Sequence, residues 1–177
     1  IDRANTYYEL SARIYARGQY DEALALAETA RDIYTELDPT TATDGLAQAY
    51  SAIGYNLNQL KRMGEAATAM SKAVELLRES KSPIAIELAC TLGEWWFGSK
   101  EYHKTIECMR DCVQEHLVEG NDSGAANDLH LIGCAHRELG EYEAALEAFK
   151  EARSIFKSLK EVINVARCDQ KIAHCFV

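Results

Sequence analysis

The sequence predicts an all-α solenoid of stacked helix pairs, and three observations carry that expectation. A tiny residue recurs between two large apolar ones, in Leu10-Ser11-x-x-Ile14, Ile53-Gly54-x-x-Leu57, Leu92-Gly93-x-x-Trp96, Ile132-Gly133-x-x-His136 and Ile172-Ala173-x-x-Phe176, with separations of 43, 39, 40 and 40 residues. Twelve residues after the first four stand Ala23, Ala66, Thr105 and Ala145, followed by Ala27, Met70, Met109 and Phe149, and then by Ala30, Ala73, Cys112 and Ala152. Side chains between these columns fall at helical spacing, as in Tyr50, Ile53, Leu57 and Leu60, and no stretch alternates with period two. Such self-similarity describes an array in which each unit buries its apolar face against its neighbours.

The elements follow in order. A first helix around Leu10–Ile14 reaches a turn at Gly18-Gln19-Tyr20, and a second helix carries Ala23, Ala27 and Ala30. Breaks are expected at Asp38-Pro39 and Thr43-Asp44. The second pair spans Ile53–Leu57, a turn at Lys61-Arg62-Met63, and the column Ala66, Met70, Ala73. At Ser82-Pro83 a serine cap and a proline at the first helical position open the third pair, which turns at Lys100-Glu101-Tyr102. Gly120-Asn121-Asp122-Ser123-Gly124 separates it from the fourth, which turns at Gly140-Glu141-Tyr142. Gly54, Gly93 and Gly133 lie inside helices, where glycine costs about 1 kcal/mol relative to alanine, so each marks a close approach of a neighbouring helix.

These columns resemble the tetratricopeptide repeat, most closely in Leu129-x-x-Ile132-Gly133, Gly140-Glu141-Tyr142 and Ala145-Leu146-x-x-Phe149-x-x-Ala152. The resemblance covers nearly the whole chain and implies a right-handed superhelix. Its repeats are placed at about 4–40, 46–82, 84–120 and 124–160, with a terminal half-repeat at 161–177, in a single array. The chain departs from the family in a period nearer 40 than about 34 residues, in His136 where a large apolar residue is usual, and in Thr105 where alanine is. Trp96 falls in the core column of Ile14 and Leu57, which leaves Phe97 as the member of the Trp95-Trp96-Phe97 cluster open to a ligand.

Composition excludes several function classes. A formal net charge of −9 disfavours nucleic acid, which needs a dense Lys/Arg surface. No run of about 18 apolar residues and no signal peptide is present, so no membrane role and a cytoplasmic location are expected. The six cysteines form no Cys-x-x-Cys pair, and Cys112 stands in a small-residue column, so they read as reduced packing residues. Two metal-like sets remain as the sharper alternative: Cys108, Cys112 and His116 on one helical face, and Cys90, His130, Cys134 and His174 on adjacent first helices. No phosphate loop, nucleophile elbow or His-Glu-x-x-His motif occurs, and Glu141, Glu143, Glu147 and Glu151 form a solvated face, so neither catalysis nor a cofactor or metal is expected.

In the resembled family the first helices line a concave surface, and spacing gives one stripe per helix. It reads Asn5, Tyr8, Tyr15 on the first; Gln48, Ser51, Tyr55, Asn58 on the second; and Glu87, Glu94, Phe97 on the third. The fourth gives Asn127, His130 and Arg137, and the fifth Arg167, Gln170 and His174. These types hydrogen-bond an extended backbone and anchor interfaces, which points to a peptide or protein partner, although the same residues could merely fill an inner curve. Glu87 and Glu94 make the middle acidic and Arg137, Arg167 and Lys171 the carboxyl end basic, so a bound segment is expected to be basic centrally and acidic at one end. Tyr8, Ala12, Ser51 and Tyr55 stand where a clamp for chaperone tails would need cations. The expected function is a non-enzymatic scaffold; a ligand-sensing array of a larger signalling or transcription regulator, or an oligomerisation module, are the alternatives. The start at Ile1 reads as a piece of something longer. Ile172, Ala173 and Phe176 match core columns with no second helix after them, so further repeats or a second copy are expected to cover the last helix.

Overall fold

Three residues suffice to reverse the chain at most of its helix ends, and that turn organises the fold. The computed structural model describes residues 1–176, without the side chains of Pro39 and Thr40. Its helices are α1 (Asp2–Tyr15), α2 (Tyr20–Thr35), α3 (Pro39–Gln59), α4 (Met63–Glu79), α5 (Ala85–Gly98), α6 (Tyr102–Glu119), α7 (Asp122–Glu138), α8 (Tyr142–Ser158) and α9 (Val162–His174). Among the described residues there is no strand.

A left-handed residue closes seven of these helices: Gly18, Lys61, Lys81, Lys100, Gly120, Gly140 and Lys160, with φ between 55° and 78°. The next residue's N–H returns to a carbonyl five positions back, as in Arg62 to Leu57 (2.9 Å), Ser82 to Leu77 (2.8 Å), Glu101 to Trp96 (2.9 Å) and Glu161 to Phe156 (2.9 Å), the Schellman pattern. Its own carbonyl then accepts the first helical N–H of the following helix, as in Ala66 to Arg62 (2.9 Å) and Ala145 to Glu141 (3.0 Å). From Lys61 onward these turns recur about every 20 residues, and two such steps make the period of 40. The longer first period arises at the α2–α3 junction, which has no left-handed residue. There Ala42 N–H bonds Asp38 O (3.1 Å), and α3 starts at Pro39, so no break falls at Thr43-Asp44. Proline sits where its missing N–H has no partner to lose, and the helix absorbs the extra residues as length. At the α4–α5 junction the helix begins at Ala85 rather than Pro83, because Ser82 O takes the Ala85 N–H (3.1 Å), a tighter i+3 bond.

The chain divides into two compact units, Ile1–Trp95 and Trp96–Val177. In the first, α1 packs on α2 and α3, α2 on α3, and α3 on α4. Its core includes Ala4, Ala30, Tyr34, Ala42 and Ala49, and a second cluster of Ala47, Leu77 and Ala85. The tiny-residue column meets the alanine column here. Ser11 Oγ donates to Ala23 O at 2.7 Å, and a Cβ on Gly54 would lie 3.2 Å from Ala66 O and 3.1 Å from the Trp95 ring.

In the second unit α6 packs on α7, α7 on α8 and α8 on α9. Phe149, Phe156, Met109, Thr105, Cys112 and Cys168 are fully buried. Thr105 in its alanine column turns its hydroxyl back to Glu101 O (3.4 Å), which satisfies the buried oxygen. His136 is kept largely from solvent in its apolar column by an Nδ1 contact with Glu141 Oε2 at 2.5 Å. Of the two tryptophans, Trp95 is the buried one, whereas Trp96 is half-buried with Lys104 Nζ 4.3 Å above its ring. Helix α9 departs from its expected columns: Ile172 packs beside Phe149, but Ala173 is exposed and Phe176 is 74% exposed.

Two measurements check this account. A Cβ on Gly133 would sit 2.7 Å from Cε1 of Phe149, a ring with no exposure, so Gly133→Ala is expected to destabilise by about 1–3 kcal/mol despite its gain in helix propensity. Chemical denaturation reads this directly. Lys100 at φ 64° bears a left-handed strain of about 1 kcal/mol, so Lys100→Gly is expected to raise the melting temperature, where Lys100→Ala is not.

Candidate functional site

The expected stripe divides into residues that line open clefts and residues already committed to the fold. In the first unit, α1 and α3 run close enough to share a cleft of about 350 Å³, lined by Tyr8, Ser11, Ala12 and Tyr15 from α1 and Ser51, Ala52, Tyr55 and Asn56 from α3. Tyr8 and Ser51 also border a second cleft of about 340 Å³ with Asp44, Ala47, Gln48, Leu77, Ser82, Ile84, Glu87 and Leu88. Tyr8, Tyr15, Gln48, Ser51, Tyr55 and Glu87 are thereby brought together. Asn5 is spent on the core, its Oδ1 accepting the Tyr34 hydroxyl, and Asn58 and Glu94 line neither cleft.

Local contacts set the rings in place. Tyr15 stands edge-on to Tyr20 (5.3 Å between centroids) and accepts from Gln59 Nε2 at 3.1 Å. Tyr55 stands edge-on to Trp95 at 5.4 Å and remains 37% exposed. Burial raises the Tyr55 phenol above its ordinary value; a hydrogen bond with Thr91 opposes this, and Glu87 and Tyr15 add to it, which puts carboxylate and rings within one field. A third depression, of about 360 Å³, lies on another face of α3 beside α2 and α4, and three of its four charged side chains are paired in place. Arg31 pairs with Asp32, Lys72 with Glu75 and Glu65 with Arg62.

Sequence reasoning missed Asn56. It is 1% exposed, its Nδ2 donates to Ala52 O at 2.8 Å, and its Oδ1 is buried without a partner. The signal was available: Asn56 shares a helical face with Ala52, Ile53 and Leu60, an apolar stripe in which an amide is out of place.

In the second unit the stripe residues lie at α7 and α9. Asn127 donates to Ser123 O (2.9 Å), Arg137 pairs with Glu138 (2.7 Å), and Arg167 donates to Asn164 Oδ1 (3.0 Å), while Gln170 and His174 are exposed. Phe97 is half-buried, edge-on to Tyr102 at 5.4 Å and packed in the cluster around Phe149 and Cys134. It therefore acts as a packing residue. His130 lies edge-on to Phe149 at 5.4 Å, its Nδ1 3.9 Å from Cys134 Sγ and its Nε2 buried with no partner. Burial, with Arg167 and Lys171 of α9 and Arg137 of α7, lowers its pKa to about 4.

On the metal-like face of α6, His116 has a partner on the next helix. His116 Nδ1 lies 2.8 Å from Asp128 Oδ2 of α7, and the pair is nearly closed to solvent. Gly124 makes room for it, since a Cβ there would lie 2.9 Å from His116 Cε1. Cys112 is fully buried in its small-residue column and Cys108 half-buried.

Comparison with known proteins agrees with this architecture. Tetratricopeptide-repeat models match residues 3–37, 47–78 and 129–158, together more than half of the chain. The chain belongs to the tetratricopeptide-repeat family. No curated protein matches it in sequence. Among solved structures it is similar to the nearly identical repeats of a putative kinesin light chain from Podosopora anserina, at 15% identity and TM-score 0.73 over 98% of this chain and 85% of that one. It is also similar to aspartyl phosphate phosphatase F from Bacillus subtilis (19%, TM-score 0.67, 95% of this chain and 44% of that one). A third likeness is to a signal-transduction ATPase with a tetratricopeptide-repeat sensor from Pyrococcus horikoshii (14%, TM-score 0.73, 97% and 26%). At these identities the likeness is one of fold, an all-α helical-repeat solenoid. Among the described residues no helix is long and apolar enough to cross a membrane.

The pH dependence of stability follows from His130. Its folded pKa lies below the ordinary 6.5, so as pH falls the unfolded chain takes up the proton first. The stabilisation is complete above pH 6.5, decreases through the window from 6.5 to about 4, and is lost below it. Melting temperatures measured across that window should fall less steeply for His130→Gln than for the parent chain.

Proposed function

We propose that this protein is a non-enzymatic scaffold that holds an extended or helical segment of a protein partner. The segment lies on the faces of its first helices, α1 and α3 in the first unit and α7 and α9 in the second. Its array comprises four helix pairs, near 4–40, 46–82, 84–120 and 124–160, and a fifth first helix at 161–177. The single observation that carries this reading is the pair of adjoining clefts between α1, α3 and the start of α5, whose walls include six of the stripe residues. Rigid, amphipathic tyrosines in a depression flanked by hydrogen-bonding side chains are the composition of an interface centre. The exposed Val162, Ile163 and Phe176 at α9 favour a further protein contact at that end.

A second reading is favoured by the Pyrococcus horikoshii likeness, in which the matched part is about a quarter of a larger signalling protein. In it the same surface takes a ligand and the array changes pitch to regulate an effector. Small-angle scattering with and without ligand separates the two, since a scaffold keeps its dimensions.

The main reading is tested with a partner recovered on the immobilised chain and titrated back. Tyr55→Ala and Arg137→Ala are each expected to weaken binding by about 1–3 kcal/mol with unchanged helicity by circular dichroism. Undiminished affinity in both variants would sink it.

A further inference from the structure

Three tyrosines, an orphaned amide oxygen and two carboxylates converge on the α1–α3 clefts, and together they define the side chain that fits there. Elsewhere the chain already places its own cations over aromatic faces, with Lys104 Nζ 4.3 Å from the Trp96 ring and the Arg3 guanidinium 5.9 Å from that of Tyr7. Among the described residues no such cation covers Tyr8, Tyr15 or Tyr55. Asp44 and Glu87 border the adjoining cleft, and among the described residues neither is paired with a cation. The Asn56 Oδ1 lacks a donor, and since its amide nitrogen is fixed by Ala52 O, the unsatisfied atom is an acceptor. Open aromatic faces, unpaired negative charge and a lone acceptor all call for a flat cation rich in N–H donors.

We infer that the cleft between α1 and α3 seats an arginine side chain of the partner. This rests on the scaffold reading above and names the chemistry of its central contact. A guanidinium stacks on tyrosine faces, is more weakly hydrated than an ammonium, and so enters a partly closed depression at lower cost. Asp44 and Glu87 supply the counter-charge from the neighbouring cleft. Asn56 Oδ1 is buried without a partner, and an arginine N–H reaches it by displacing side chains of the lining. A volume of about 350 Å³ suits one long side chain rather than a folded element.

The test is selection of a randomised, disulfide-free peptide library on the 177-residue chain, followed by titration of synthetic peptides. Retained peptides are expected to share an arginine, and replacing it by citrulline, which keeps the shape and removes the charge, should weaken binding at least about tenfold. Asn56→Leu replaces an unsatisfied buried acceptor by an apolar group of similar size, so the fold is expected to stand while the preference for arginine over citrulline shrinks. Peptides that depend on Tyr55 yet show no arginine, or that bind equally well as citrulline, would overturn the inference and leave the scaffold reading intact. Equal arginine preference in Asn56→Leu would overturn it too. If no peptide engages the α1–α3 face, the scaffold reading fails and the inference with it. The citrulline comparison uses the unmodified protein, so it decides even if the Asn56 variant fails to fold.

Discussion

The geometry of this protein depends on one backbone interaction, the 6→1 hydrogen bond that ties the residue after a left-handed turn to the last turn of the helix before it. Seven such turns, from Gly18 to Lys160, make the same residue the end of one helix and the start of the next. With three residues between most consecutive helices, neighbouring axes have little freedom, and apolar columns about 20 residues apart must face each other. The small side chains at 11, 54 and 133 are a consequence. A reversal this tight brings the second helix so near that Ser11 touches Ala23 O and Gly133 touches Phe149. That four of the seven turn residues are lysines shows that the reversal, and not local preference, decides the backbone there.

Most of this architecture was legible because the constraint repeats. A column of tiny residues is visible in a single sequence when it recurs five times, and the turns at Gly18, Lys61, Lys100 and Gly140 stood next to it. What stayed hidden was whatever broke the repeat. The extra residues of α3 looked like a break at Thr43-Asp44 because proline and aspartate punctuate most chains, whereas here Pro39 opens a helix that continues to Gln59. In the Trp95-Trp96 pair, register assigned Trp96 to the core; packing against Gly54 and Tyr55 takes the adjacent Trp95 inward instead.

The candidate site was legible in outline and not in its floor. Spacing gave the face of each first helix, so Tyr8, Tyr15, Ser51 and Tyr55 were available by counting. Spacing does not distinguish a side chain that faces a cleft from one that turns to its own backbone or a neighbouring helix. Asn127 turns to Ser123 O of its own helix, whereas Asn5 goes to Tyr34 and Phe97 to Tyr102 on the helices that follow. The buried His116–Asp128 pair was hidden for the same reason, since its members come from separate helices and only their meeting gives them a role.

The tight reversals also bear on how the chain finds its structure. Among the described residues, the helices that pack most closely are neighbours in sequence. Contacts of such short separation close small loops, so little chain entropy is lost before apolar burial begins to compensate. Each helix pair can therefore dock as soon as its turn is complete, including on a chain still being synthesised, with no need to wait for a distant strand or a closing barrel. A fold assembled in this order keeps its unpaired apolar surface confined to the growing end.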